Sequence, residues 1–456
     1  MVVTIRLLAL SLAASSVLLA QGAVRFDIST TARDLRAGDF QISDNGKRQN
    51  IVFFDRISAQ PDTPTVILFD LDQLSPRDYS ETELVATLKS QTAASDLFLY
   101  LRTEEGILPI RPLTPEKGAA DPGWTVQIQS LLDASVKNVQ GLNFPEIRST
   151  TRACRDVELL ISDLLLIPGR KNLIWVTYGF LNALDRNLPG NSSRPVVDLI
   201  ADLTENQIVV YPLERTYGEE REKYTAESAH RTLEVLAAIT GGRFDDLGAP
   251  EQILRSPDNH RGFYNFRKAI DRAREDTRNL SYRLAFLRPA ADWNAKYHNL
   301  RVVSTRKDVK LQTREGDYAF PPPSDEDRNQ IATAASARRE SPDIVLHATA
   351  VAPQPPLDKI TIDIRVDAAT ILLAPDHDQF HTTLTVAVVQ YDAAGSSQIS
   401  PSSSMELTLT PDQRTQALAE GLDLKVSVPF LAAARTLRVI VHDRFLKTTG
   451  SLTIPI

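Results

Sequence analysis

Between Thr65 and Thr277, uninterrupted apolar runs alternate with stretches of helical periodicity, and this rhythm constrains the fold more than any other feature of the chain. Residues 65–69, 97–101, 173–177 and 208–211 are continuous runs rich in Val, Ile, Leu and aromatic side chains, the pattern of strands buried on both faces. Between and after them, apolar residues recur at helical spacing: Val157, Leu160, Ile161 and Leu164; Val196, Leu199, Ile200 and Leu203; Leu233, Leu236 and Ala237; Phe263, Phe266 and Ile270. Ser80 and Glu83 form a capping box that predicts a further helix over 81–90. The spacing predicts a parallel sheet covered by helices on both faces, spanning residues 61–278.

The flanks have a different rhythm. Residues 40–51 read as a hairpin turning at Asn45-Gly46, and 282–286, 300–303 and 309–313 alternate as antiparallel strands. Residues 24–60 and 279–319 are therefore expected to form one small β-domain interrupted by the α/β unit. Pro321-Pro322-Pro323 opens a charged linker over 320–343. From 344 to 456 short strands recur at 360–366, 382–389, 405–409, 424–428, 437–441 and 451–454, which predicts a β-sandwich of immunoglobulin-like size.

Arg6 precedes an apolar run from Leu7 to Ala20, and Ala20-Gln21-Gly22 supplies small residues for cleavage, so residues 1–22 read as a secretory signal peptide. The run is shorter than the ~20 residues that span a bilayer. An exported protein, periplasmic or secreted, is expected, with no integral membrane segment after cleavage. A net charge of -7 without a basic stripe argues against a nucleic-acid partner. Cys154 is the one cysteine, which excludes an internal disulfide; at helical spacing with Val157 and Ile161 it reads as a buried apolar residue.

The strand over 65–69 runs into Asp70-Leu71-Asp72, with Ser75 close behind. A carboxylate at the carboxyl end of such a strand lies where open α/β sheets bind ligands. Further motifs are Leu35-Arg36-Ala37-Gly38-Asp39-Phe40, Asp44-Asn45-Gly46-Lys47, Pro168-Gly169-Arg170-Lys171-Asn172, Thr240-Gly241-Gly242-Arg243-Phe244, Tyr282-Arg283-Leu284-Ala285-Phe286 and Gly316-Asp317-Tyr318. In this order, over about residues 24–320, the chain resembles the secreted von Willebrand factor A-related proteins of the Acidobacteria type. The resemblance implies a Rossmann-like, doubly wound von Willebrand factor A-type domain that binds protein ligands through a metal-ion-dependent adhesion site.

That site takes Asp-x-Ser-x-Ser after the first strand, a Thr from another loop and an Asp after a later strand. Here Asp70 matches the first Asp, but Asp72 and Leu74 stand at the serine positions, and Thr177-Tyr178-Gly179 stands where relatives have Thr-Asp-Gly. Asp70, Asp72, Ser75 and Thr151 form the candidate ligand set for a divalent cation such as Mg²⁺, and the departures leave that site degenerate. The same triplet is similar to the first motif of haloacid-dehalogenase-type phosphatases. In that alternative Asp70 is the nucleophile, Asp72 the general acid/base, Thr177 the second motif, Lys171 or Lys223 the third and Asp245-Asp246 the fourth, with Mg²⁺ required. Asp376-His377-Asp378 with His381 is a further possible metal cluster in a polar turn.

The reading taken forward is a non-enzymatic exported interaction or adhesion module. Its ligand crest is Asp70, Asp72, Ser75, Thr177 and Tyr178, its partner is a protein, and its cofactor is none or a divalent cation such as Mg²⁺.

Overall fold

The computed structural model describes residues 2–3, 22–57, 63–70, 96–103, 105–113, 130, 150–177, 194–214, 223–244, 261–321, 326–351 and 358–456. The first flank contributes β1 (Gly22–Ser29), β2 (Phe40–Asp44), β3 (Lys47–Gln49) and β4 (Phe53–Arg56). The β2–β3 hairpin turns through Asn45 and Gly46, whose φ values of 48° and 78° suit an Asn-Gly pair.

The chain then enters a five-stranded sheet. Its strands are β5 (Thr65–Asp70), β6 (Leu97–Thr103), β7 (Gly106–Arg111), β8 (Lys171–Thr177) and β9 (Ile208–Glu214), in the spatial order β9-β8-β5-β6-β7. Four helices accompany it: α1 (Thr150–Leu164), α2 (Arg194–Glu205), α3 (Lys223–Thr240) and α4 (Arg261–Arg278). Val66, Leu68, Leu173, Trp175 and Val210 pack on one face with the apolar stripes of α1, α2 and α3. Ile67, Phe69, Leu99, Ile174 and Tyr211 pack on the other against Ala269, Ile270 and Ala273 of α4. Every residue of β5 and β8 is buried, which accounts for their unbroken apolar runs.

The second flank returns as β10 (Leu280–Arg288), β11 (Tyr297–Ser304) and β12 (Gly316–Tyr318). β10 lies between β1 and β4, and β11 lies between β12 and β2, all antiparallel. After α5 (Glu326–Ser336) come β13 (Leu346–Val351), β14 (Lys359–Val366), β15 (Ala374–Asp376), β16 (Gln379–Asp392), β17 (Ser397–Ile399) and β18 (Ser403–Leu409). Then follow α6 (Pro411–Glu420), β19 (Leu422–Pro429), β20 (Ala434–Asp443) and β21 (Thr448–Pro455). The β19-β14-β13 sheet and the sheet built around β16 and β20 share one core, with Ile360, Ile362 and Ile364 facing Leu384, Val386, Val439 and Val441.

The Rossmann-like, doubly wound parallel architecture expected from the sequence, with its immunoglobulin-like appendage, requires correction. Among the described residues strand outweighs helix and is distributed over five sheets, four of them wholly antiparallel. The remaining sheet is mixed. Its physical cause is a reversal: Thr103 pairs directly with Gly106, whose φ is 123°, and β7 runs back antiparallel along β6. So short a connection can only make a hairpin, whereas another parallel strand needs a crossover of about a dozen residues. Pro109 fits the edge position of β7.

Buried ion pairs tie the units together. Arg283 on β10 donates from Nε to Asp27 of β1 at 2.7 Å and from Nη2 to Asp343 at 3.1 Å. Arg288, fully buried, bridges Asp44 and Asp317, and Asp44 also receives His298 Nδ1 at 2.7 Å. Burial would raise the Asp27 carboxyl, but Arg283 and Arg25 hold it well below the usual carboxylate range. The folded protein thus binds that proton less tightly than the unfolded chain, so the contribution is present above about pH 4 and is lost as pH falls. Urea midpoints measured from pH 6 to pH 2 should fall steeply in the wild type and less steeply in Asp27→Asn.

The Thr240-Gly241-Gly242 motif seals the outer edge of β9. Thr240 Oγ1 accepts the Val210 N–H at 3.0 Å while donating to the Leu236 carbonyl at 2.8 Å. Gly241, at φ 85°, ends α3, and a Cβ on Gly242 would sit 1.9 Å from the Val210 carbonyl oxygen. Gly242→Ala should therefore cost about 3 kcal/mol or more in urea unfolding, since backbone rather than a flexible side chain must move. A loss below about 1 kcal/mol would mean that α3 shifts freely against the sheet.

Candidate functional site

The carboxyl ends of β5, β6 and β8 converge because these strands are parallel and in register: Asp70 pairs with Arg102, and Phe69 pairs with Val176, one residue before Thr177. Asp70, Arg102 and Thr177 are all fully buried. Arg102 Nη1 donates to Asp70 Oδ1 at 2.9 Å, and its Nε donates to Asp156 Oδ2 of α1 at 2.9 Å. Thr177 Oγ1 donates to the other Asp70 oxygen at 3.2 Å. One guanidinium thus stands between two buried carboxylates, held by charge-assisted hydrogen bonds.

The structure brings Asp70 and Thr177 together, as neighbours on one crest. Asp72, Ser75 and Tyr178 lie outside the described residues. Thr151 falls in the first turn of α1, and its side chain also lies outside what is described. Arg102 and Asp156, the two residues that define the site electrostatically, were not among the expected ones. Part of their signal was present, since Arg102 follows the apolar run of β6 and Asp156 is a charged residue beside the buried stripe residue Val157; that Arg102 stands level with Asp70 appears only in the sheet.

A divalent cation at Asp70 would need hard oxygen ligands and room for water. Both Asp70 oxygens are already engaged, and the nearest cation is the guanidinium itself, so a second, doubly charged ion meets repulsion instead of free carboxylate. Of the expected ligand set only the Asp70 side chain is described, and it is paired with Arg102 and Thr177 rather than left open for a Mg²⁺ ion. The phosphatase arrangement meets a further obstacle. Lys171 begins β8 and Thr177 ends it, about 20 Å apart at strand rise. The Lys171 ammonium donates to the Ile167 carbonyl at 3.0 Å, and burial pulls its pKa down to about 8. Asp245 and Asp246 lie outside the described residues, as does the Lys223 side chain.

Elsewhere, His377 is 91% exposed against Asp376, and among the described residues no group of three or more His, Cys, Asp or Glu is placed to hold a metal ion. Cys154 is buried in the α1 stripe, and burial with the nearby Glu158 pushes its thiol up to about 12, far from a reactive thiolate. No helix among the described residues is long and apolar enough to cross a membrane.

No known family profile matches the chain, and no characterised protein sequence matches it. Solved structures give faint likenesses. Proximal thread matrix protein 1 from the mussel byssus is 13% identical over 47% of this chain and 48% of its own, with a TM-score of 0.27. The SpaC pilus adhesin of Lactobacillus rhamnosus GG is 8% identical over 94% of this chain and 57% of its own, at 0.29. The PilB minor pilin of Streptococcus sanguinis, as its D319A mutant, is 12% identical over 49% and 64%, at 0.27. The chain thus spans about half to two thirds of the length of these structures, and at such scores none bears on its fold or function.

The role of Arg102 is measurable. Arg102→Met leaves Asp70 and Asp156 buried without their shared cation and should cost about 3–5 kcal/mol in urea unfolding. The double variant Arg102→Met/Asp70→Asn should recover part of that loss; equal loss in both would mean that Asp70 is solvated rather than paired.

Proposed function

We propose that this chain is an exported, non-enzymatic interaction module of the adhesion type. Its ligand surface is the crest beyond the ends of β5 and β8, and an internal arginine takes the place of the metal ion. The observation that carries this reading is the 2.9 Å contact of Arg102 with Asp70. It engages the carboxylate that would serve as metal ligand in an adhesion site or as nucleophile in a phosphatase. Arg102 and Thr177 then do for the strand ends what a cation does elsewhere: they neutralise the carboxylate and fix the spacing of three strands from which the crest loops depart. The partner is a protein, bound by residues that follow the strand ends in sequence, among them Asp72, Ser75 and Tyr178. Export to the periplasm or beyond accords with the signal-like amino terminus.

The test is calorimetric titration of Mg²⁺ and Mn²⁺ into chelator-treated protein, alongside hydrolysis of p-nitrophenyl phosphate. Neither metal should give saturable heat, and no turnover should appear. Saturable heat lost in Asp70→Ala, or turnover lost in Asp70→Asn, would overturn the reading.

A further inference from the structure

A second site lies at the opposite end of the sheet. Where β8 and β9 begin, a cavity of about 160 Å³ opens between the α/β unit, the flanking β-strands and the loop at Leu446 and Lys447. Ile200, Ile208, Val209 and Ile239 give it an apolar wall, and Arg25 and Arg314 line it from β1 and from the segment before β12.

The charges around this cavity do not balance among themselves. Of its three carboxylates, Asp27 is engaged by Arg283, Asp317 by Arg288 and Glu205 by Lys447. Arg25 and Arg314 make neither an ion pair nor a side-chain hydrogen bond among the described residues; Asp27 acts on Arg25 only beyond ion-pair distance, and Arg314 overlies the Phe26 ring at 5.3 Å. Three buried polar atoms in the lining also lack hydrogen-bond partners there: Arg314 Nε, Trp293 Nε1 and Thr313 Oγ1. The two nitrogens are N–H donors and the hydroxyl can donate. Burial pulls Arg314 down to about 10, the attraction of Asp317 being offset in part by repulsion from Arg288 and Arg25. A native interior leaves few polar groups unsatisfied, so two arginines without an ion pair in the wall of one void mark the place of an acceptor.

We propose that this cavity binds a small organic anion, its carboxylate held between Arg25 and Arg314 and its apolar body lying against Ile200, Ile208, Val209 and Ile239. The volume agrees with this class, because a cavity of about 150 Å³ holds a benzene ring. The site is independent of the crest at Asp70, so its failure or success leaves the proposed interaction surface untouched.

Sodium benzoate is the probe, benzyl alcohol its uncharged counterpart, and tryptophan fluorescence and melting temperature at constant ionic strength are the readouts. Benzoate should give a saturable change and a higher melting temperature, and benzyl alcohol should not. Arg25→Gln and Arg314→Gln should each weaken benzoate by about tenfold or more, the loss expected of one charged hydrogen bond, while Arg314→Lys retains more of it. Trp293→Phe should remove the fluorescence response. Absence of saturation in the wild type, an equal response to benzyl alcohol, or full benzoate affinity in both glutamine variants would each overturn the proposal. The wild-type comparison decides even where a glutamine variant does not fold.

Discussion

The architecture hangs on β10, and on β10 it hangs on Arg283. That strand is paired on both edges, with β1 and with β4, and its arginine reaches Asp27, 256 residues earlier, and Asp343, 60 residues later. A buried guanidinium with two carboxylates is stable only when all three stretches have arrived, because any one alone leaves an uncompensated charge. The α/β segment is thereby enclosed in a loop whose ends must meet before the flanking sheets exist. Contacts of such long separation are slow to form, and the five-stranded sheet, whose partners are nearer in sequence, is able to order before them.

Much of the local structure was legible. The runs at 65–69, 97–101 and 208–211 fall within β5, β6 and β9, and the six strand positions foreseen after residue 344 fall within β14, β16, β18, β19, β20 and β21. Continuous or alternating burial is a local property, and periodicity reports it directly. What periodicity could not report was the balance of the whole. The reversal at Gly106 takes only two paired residues, Thr103 and Gly106, and Ile107, Leu108 and Ile110 in β7 give no sign of whether they run with or against β6. The site shows the same division. Asp70 was visible as a carboxylate ending a strand, but its partner on β6 is a matter of register, which one-dimensional spacing does not encode.

Several of the motif residues away from the crest join elements rather than line a site. Tyr282 accepts the Leu35 N–H and donates to the Ala32 carbonyl; Asn172 donates to Thr277 at the end of α4; Arg170 donates to Tyr211, which donates to Asp276. Arg243 of the Gly-Gly-Arg-Phe motif also meets Asp276. Asp317 and Asp44 share Arg288. Each joins elements distant in sequence, and none lies at the crest. A pattern of this kind records how the chain closes on itself and says nothing of what binds above the sheet.

The arginine between Asp70 and Asp156 differs from a bound ion in one respect that outweighs their electrostatic likeness: it is covalently part of β6 and has no dissociation rate. A crest organised by calcium or magnesium responds to the ionic content of its surroundings and can be stripped, refilled and regulated. A crest organised by Arg102 is set when the chain folds, because the charge that holds Asp70 arrives with β6 and need not be captured from solution. Such an arrangement gives up the capacity to be stripped and refilled and gains permanence.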